Sequence, residues 1–391
     1  MFAVFTKLRK LILGPLALLS MLLLAACASG PIIGSGPSIN PSAPVPVALL
    51  VPYGSADTNE QKLATDLENA ARMAVSDLGG VQIDLRVYGT AGNAEKAGQV
   101  AAEAVADGAK IIIGPLHAES ANAAALAVAG RGVNVLAFSN NPTIAGGNLF
   151  VLGQTFDTTA NRLVGYAASQ GRDRIMTVYS SNLAGRLGRA AIQEAITRNG
   201  AVPAGAVSYE FSQQGVIAAL PKITSTAKQT DANAIFLTAN TAGALPLFSQ
   251  MLPENGLGQD TVQYIGLSRW DTPPQTLELP GVQGGWFALP DPGRSAQFQS
   301  RFQSAYGAAP HALSGLAYDG IAAVGALATG GTRNALTKEA LTQPAGFQGV
   351  NGVFRFLPNG SNERGLAVAT IQDKQVKVLS PAPQGFEGAG F

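Results

Sequence analysis

The sequence predicts an α/β protein of two αβα lobes with parallel sheets, set behind a leader and an unstructured tether. Three observations carry that expectation. From Val47 onward, short apolar runs alternate with longer segments of helical period. The alternation starts again near Asp157, which suggests a second lobe in preference to one longer sheet. The length of 391 residues exceeds a single mid-sized domain.

The leader comes first. Lys7, Arg9 and Lys10 form a basic start, Leu11 to Leu24 is apolar and uncharged, and small residues lead to Cys27, the only cysteine. That order is a secretory signal peptide over residues 1–26, since the apolar run is shorter than the roughly 20 residues a bilayer core needs. Leu24-Ala25-Ala26-Cys27 resembles a bacterial lipobox, which implies cleavage before Cys27 and lipidation of its sulfur. Several acyl chains make such an anchor stable, whereas one alone is marginal. Loss of the leader removes three positive charges and no negative one, moving the formal charge from +1 to −2. Residues 27–45 mix Gly30-Pro31, Gly34-Ser35-Gly36-Pro37 and Pro41-Ser42-Ala43-Pro44, and read as a Pro/Gly/Ser-rich tether. Residues 381–391 read as a similar loose tail.

Val47 to Val51 is a continuous apolar run, the mark of a strand covered on both faces. Asn59 to Leu78 places Leu63, Leu67, Ala70, Ala71 and Ala74 on one helical stripe. Val81 to Tyr88 alternates apolar with polar residues, predicting a strand near a sheet edge. Gln99 to Ala106 is helical, Ile111 to Ile113 a buried strand, Ser120 to Ala129 helical, and Val133 to Phe138 a strand. After the restart, Thr158 to Ser169 reads as helix, Arg174 to Tyr179 as strand and Leu183 to Arg198 as helix. Strands are predicted at Val207 to Phe211, Ala234 to Thr238, Val262 to Leu267 and Gly285 to Leu289. Helices follow at Ala296 to Tyr306 and Leu313 to Ala328, and the end from Gly352 to Leu379 is strand-rich. Such βα alternation implies right-handed crossovers between parallel strands.

Composition narrows the function classes. With 13% charged residues and near-neutral charge there is no basic patch for nucleic acid. One cysteine allows no internal disulfide, and with only His117 and His311 there is no Cys/His metal cluster. No cofactor-binding motif appears: there is no Walker loop, and no Gly-x-Ser-x-Gly elbow or convincing triad recommends an enzyme.

Four segments carry a family resemblance. They are Ile113-Gly114-Pro115 before a helix; Val135 to Asn141; Arg174 to Tyr179 leading to Gly185-Arg186-Leu187-Gly188; and Phe302 to Tyr306 leading to Ala317-Tyr318-Asp319-Gly320. Their order resembles the type I periplasmic binding proteins, in the leucine/isoleucine/valine-binding branch. The resemblance implies two lobes joined by three crossovers, near Gly153, Pro290 and Ala345. Lobe 1 would take 46–153 plus 290–345, lobe 2 154–289 plus 346–380, with a ligand between them and hinge closure around it. More narrowly, Gly266-Leu267-Ser268-Arg269-Trp270 resembles a segment of the penicillin-binding protein activators, envelope lipoproteins that stimulate a peptidoglycan synthase. That resemblance implies a synthase partner and a membrane anchor at Cys27. Ala28 after Cys27 implies, by the enterobacterial sorting rule, the outer membrane. The alternative is the solute receptor of an ABC importer for an amino acid or other small polar ligand.

In doubly wound sheets ligands bind beyond the carboxyl ends of the strands. The loops there contribute the candidate ligand contacts Tyr53, Leu116, His117, Ala118, Ser139, Asn140, Asn141, Asn182, Asn240, Ser268, Arg269 and Trp270. Family likeness assigns carboxylate contacts to 116–118 and 139–141. The segment matching the family's aromatic contact reads Asn182-Leu183-Ala184-Gly185, without a tyrosine, and Arg269 stands where an acid would meet a ligand ammonium. A carboxylate-bearing ligand therefore fits better than a free amino acid. Competing roles are a cap or turn for Ser139-Asn140-Asn141, a loop or cap for His117, an interlobe ion pair for Arg269 and packing for Trp270. Tyr318-Asp319 reads as packing near the hinge.

Overall fold

The computed structural model describes residues 37–386. The first sheet is laid down by β1 (Val45–Val51), α1 (Thr58–Asp77), β2 (Ile83–Gly89), α2 (Ala94–Ala106), β3 (Ile111–Ile113), α3 (Ala118–Val128), β4 (Asn134–Ala137) and β5 (Leu149–Val151). Its strands are all parallel, in the order β2-β1-β3-β4-β5. Helices cover both faces, which is why β1 is apolar throughout. Val47, Leu49 and Val51 pack towards α1, while Ala48 and Leu50 pack towards α2 and α3. The edge strand β2 is half-buried along its length, as its alternation predicts. Local caps set the helix starts: Asp57 accepts the Asn59 N–H and Asn93 the Lys96 N–H.

The chain then crosses to α4 (Phe156–Ser169), β6 (Arg174–Ser180), α5 (Leu183–Arg198), β7 (Val202–Tyr209), α6 (Gln213–Gln229), β8 (Ala234–Leu237), α7 (Leu245–Glu254), β9 (Gln263–Gly266) and β10 (Trp286–Leu289). It returns to the first lobe for α8 (Pro292–Tyr306), α9 (Gly315–Thr329), α10 (Lys338–Leu341), β11 (Phe347–Gly349), β12 (Gly352–Phe356) and β13 (Asn362–Arg364). A last crossing delivers β14 (Ala367–Gln372) and β15 (Gln375–Ser380) to the second sheet, whose order is β15-β14-β10-β9-β8-β6-β7. That sheet is parallel except at β14 and β15. Asp373 and Lys374, both with positive φ, form a two-residue turn that permits only an antiparallel return. Side chains again alternate: Ile235 and Leu237 enter one core, Ala234 and Phe236 the other.

Four expectations change. The third crossing lies at 365–366, not near Ala345, because Phe347, Phe354 and Phe356 join Phe150 in the first core. The tether expected over 27–45 gives way to packed chain by Ile39, which is buried in that core and donates its N–H to the Arg333 carbonyl. Within the expected tail, Ala382 is buried and Arg355 stacks on Phe386. Finally, β7 spans Val202–Tyr209 instead of 207–211. As an edge strand it tolerates Pro203, and Gly205 at φ +95° takes up an irregular register against β6. The expected signal peptide, Cys27 and the chain end beyond 386 lie outside the described residues. Among the described residues no helix is long and apolar enough to cross a membrane.

The three crossings are bound to one another. Asn362 donates its amide to the Val151 and Gly153 carbonyls at 2.7 and 2.8 Å. Arg364 donates to the Leu152 carbonyl through Nε and Nη2, and through Nη1 to Asp319 at 2.9 Å. Asp319 also accepts the Val350 N–H, and the Asp291 N–H donates to the Asn351 carbonyl at the second crossing. The Asp319 side chain is fully buried; burial pushes its carboxyl above the usual range, against the opposing pull of Arg364. Arg364→Leu leaves that carboxylate unpaired and is expected to cost about 3–5 kcal/mol in urea unfolding. The Asp319→Leu/Arg364→Leu double variant should lose clearly less than the sum of the single losses. A single-variant loss below about 1 kcal/mol would remove the pair from this structural role.

Candidate functional site

The loops that leave the carboxyl ends of both sheets hold the polar residues singled out from sequence. After β1, Tyr53 is half-buried and donates its hydroxyl to Glu68 on α1 at 2.8 Å. Burial, reinforced by Glu68, raises its phenol above the ordinary value. After β3, Gly114 adopts φ +87°, and a Cβ there would lie 2.2 Å from the Leu50 carbonyl oxygen, so only glycine fits. Leu116 packs against the first core. His117 Nε2 meets Glu60 Oε1 at 2.8 Å. It occupies the N-cap position of α3 but gives no side-chain cap. Among the described residues, the first-turn N–H groups that begin at Ala118 therefore have no side-chain acceptor, a local environment that favours an anion.

After β4, Ser139 is buried and its hydroxyl accepts the Asn141 N–H at 3.1 Å. The Asn141 amide oxygen in turn accepts from the Thr143 N–H and hydroxyl. This chain of bonds makes the turn before Pro142 and leaves Asn140 exposed, its side chain unbonded among the described residues. After β6, Ser180 donates to Asn182, which accepts the Gly185 N–H and caps α5. After β8, Asn240 is exposed and its amide is likewise unbonded among the described residues.

The loop after β9 corrects two expectations. Arg269 pairs with Asp271 at 2.9 Å, a partner two residues away in the same loop and not one across the lobes. The pair presents near-zero net charge, so Arg269 does not repel an ammonium as an isolated cation would. Trp270 is fully buried and cannot contact a ligand. Its ring stacks near Phe287 at 6.5 Å and fills the space beside Gly266 and Gly285, where added Cβ atoms would come within 2.3 and 2.1 Å of it. Ser268 donates to the Ala239 carbonyl at 3.4 Å, tying this loop to the one after β8.

The structure thus places Tyr53, His117 and the Ser139–Asn141 turn on the first lobe, and Asn182, Asn240, Ser268 and Arg269 on the second. Sequence reasoning missed Glu60, Glu68 and Asp271. Asp57-x-x-Glu60 is legible as a helix start, and Asp271 as an i+2 partner of Arg269. The Tyr53–Glu68 bond has no local signal, because it depends on how α1 docks. Among the described residues no group of His, Cys, Asp and Glu is arranged to hold a metal ion. Trp270→Ala is expected to cost about 3–5 kcal/mol of stability, as large aromatic truncations in a core do. Asn140→Ala should stay within about 0.5 kcal/mol of the parent. Denaturant titration of both variants checks the contrast, and equal effects would contradict the assignment of Trp270 to the core.

The sequence profile of the periplasmic binding protein family matches residues 44–375. No curated protein sequence matches the chain. Among solved structures, it is similar to a branched-chain amino acid ABC transporter periplasmic ligand-binding protein from Burkholderia xenovorans, at 18% identity and TM-score 0.67, covering 88% of this chain and 97% of the other. An ABC transporter substrate-binding protein from Desulfitobacterium hafniense in complex with Leu aligns at 19% identity and TM-score 0.62, covering 86% and 100%. A solute-binding protein from R. palustris in complex with benzoate aligns at 16% and TM-score 0.57, covering 89% and 99%. These likenesses agree in the two-lobe α/β fold. With most of its length matched by the family profile, the chain belongs to the periplasmic binding protein family, a family of solute-binding proteins and not of enzymes.

Proposed function

We propose that the protein is the solute receptor of an ABC importer, working in the periplasm and taking a small carboxylate-bearing ligand between its lobes. The observation that carries this reading is the uncapped start of α3 at the carboxyl end of the first sheet, in a family of binding proteins. Its N–H groups suit a carboxylate, the group common to the leucine and benzoate held by two structural relatives. Asn140 and Asn240 supply uncommitted amides from the loops of the two lobes, and the Arg269–Asp271 pair supplies local polarity without net charge. Anchoring through Cys27, at an outer or other envelope membrane, belongs to this proposal as well.

A second reading, activation of a peptidoglycan synthase by a lipid-anchored scaffold, is supported by the likeness of Gly266 to Trp270 to the activator segment. Burial of Trp270 removes its aromatic ring from any partner surface and leaves Ser268 and Arg269 as the accessible part of that likeness.

Leucine, benzoate and related small carboxylates are the first ligands to screen by thermal unfolding. A true ligand at ~100-fold excess over its Kd should stabilise the fold by about 2.7 kcal/mol. Asn140→Trp should weaken that binding about tenfold or more without unfolding the protein. No stabilisation by any small carboxylate, together with faster glycan polymerisation by a co-purified synthase, would replace the receptor reading with the activator one.

A further inference from the structure

A cavity of about 410 Å³ lies beside the crossings, and none of the candidate cleft residues named above lines it. Pro142, Asn359 and Ser361 wall it from the first lobe, and Asp157, Asn161 and Arg162 from α4. Its volume is within the range of small-molecule sites. Arg162 is the unusual group. Its Nε donates to the Leu366 carbonyl and its Nη2 to the Ser380 hydroxyl and the Pro381 carbonyl. Among the described residues it has no carboxylate partner, and its Nη1 makes no bond. Burial pulls its pKa down, and the cation sits in the wall without an ion pair among the described residues.

Of the other charges lining the cavity, Asp157 forms no ion pair among the described residues and lies beside Arg198. Arg364 is held by Asp319, Glu363 by Arg355, and Arg198 lies near Glu194 and Asp157. Two amides add donors. The Asn161 oxygen accepts from Asn199 and the Asn359 oxygen from Ser361, which leaves both amide NH₂ groups unbonded among the described residues. The wall therefore holds a guanidinium with no ion pair and spare N–H donors, which suit a carboxylate, with the Asp157 carboxylate set on the Arg198 side. We infer that this cavity is a second binding site, separate from the cleft between the lobes, for a small carboxylate seated on Arg162 with its remaining polar groups towards Asn161 and Asn359. The site does not depend on what the cleft binds.

Titration calorimetry of the full chain with L-malate at neutral pH tests it. Saturable binding is expected below about 10 mM. Arg162→Gln should weaken it about tenfold or more, Arg162→Lys should restore part of the loss, and Ser361→Trp should block it from the first-lobe side. Asn140→Trp, in the loop after β4, should leave the Arg162-dependent component of malate binding unchanged. Circular dichroism melting curves identify any variant that fails to fold, and Ser361→Trp tests the site without touching the bonds of Arg162 to Leu366, Ser380 and Pro381. The inference is overturned if malate does not bind, if Ser361→Trp and Arg162→Gln bind it as the parent does, or if Asn140→Trp abolishes it. The last result would place malate in the cleft.

Discussion

The buried pair of Asp319 and Arg364 is the interaction on which the joining of the two lobes depends. Arg364 is the last residue of β13 and Asp319 lies in α9, so the pair fastens the third crossing to the helix layer of the first lobe. The same guanidinium donates to the Leu152 carbonyl at the first crossing. Asn362, two residues earlier, holds the carbonyls on either side of it. Isolated from water, each of these groups would be strongly unfavourable; together they satisfy one another except at the Asn362 amide oxygen, which is buried without a partner among the described residues. Phe354 stacks under the guanidinium and completes the enclosure. The crossings pass through one hydrogen-bonded cluster, and the loops of each lobe inherit their position from it.

Against that fixed base, the loops at the carboxyl ends are organised lobe by lobe. Tyr53 and His117 are held by acids of α1, the Ser139–Asn141 turn by its own backbone, and Asn182 by the start of α5. Most of the polar atoms therefore shape the loops. Those left over are the amides of Asn140 and Asn240 and the N–H groups at the start of α3. This division explains why a list of polar loop residues overstates a binding site: hydroxyl and amide side chains are favoured there first as caps and turns. Arg162 shows the opposite pattern. It lies on a helix, yet it is a half-buried charge with no ion pair among the described residues.

The sequence by itself determined the layered α/β architecture and most of the strands, because strands covered on both faces must be apolar throughout and edge strands must alternate. Val47 to Val51, Ile111 to Ile113 and Ile83 to Val87 are legible for that reason. Only the tertiary structure decided the third crossing, the fate of Ile39 and Ala382, and the place of Trp270. An aromatic run such as Phe347, Phe354 and Phe356 is equally suited to either core, and proximity to Phe150 settles which one takes it. Trp270 follows a serine and an arginine in a loop, and its burial depends on the glycines at 266 and 285 leaving it room. Pairings such as Asp319–Arg364 and Tyr53–Glu68 join residues on different elements, so their chemistry exists only once packing has brought those elements together.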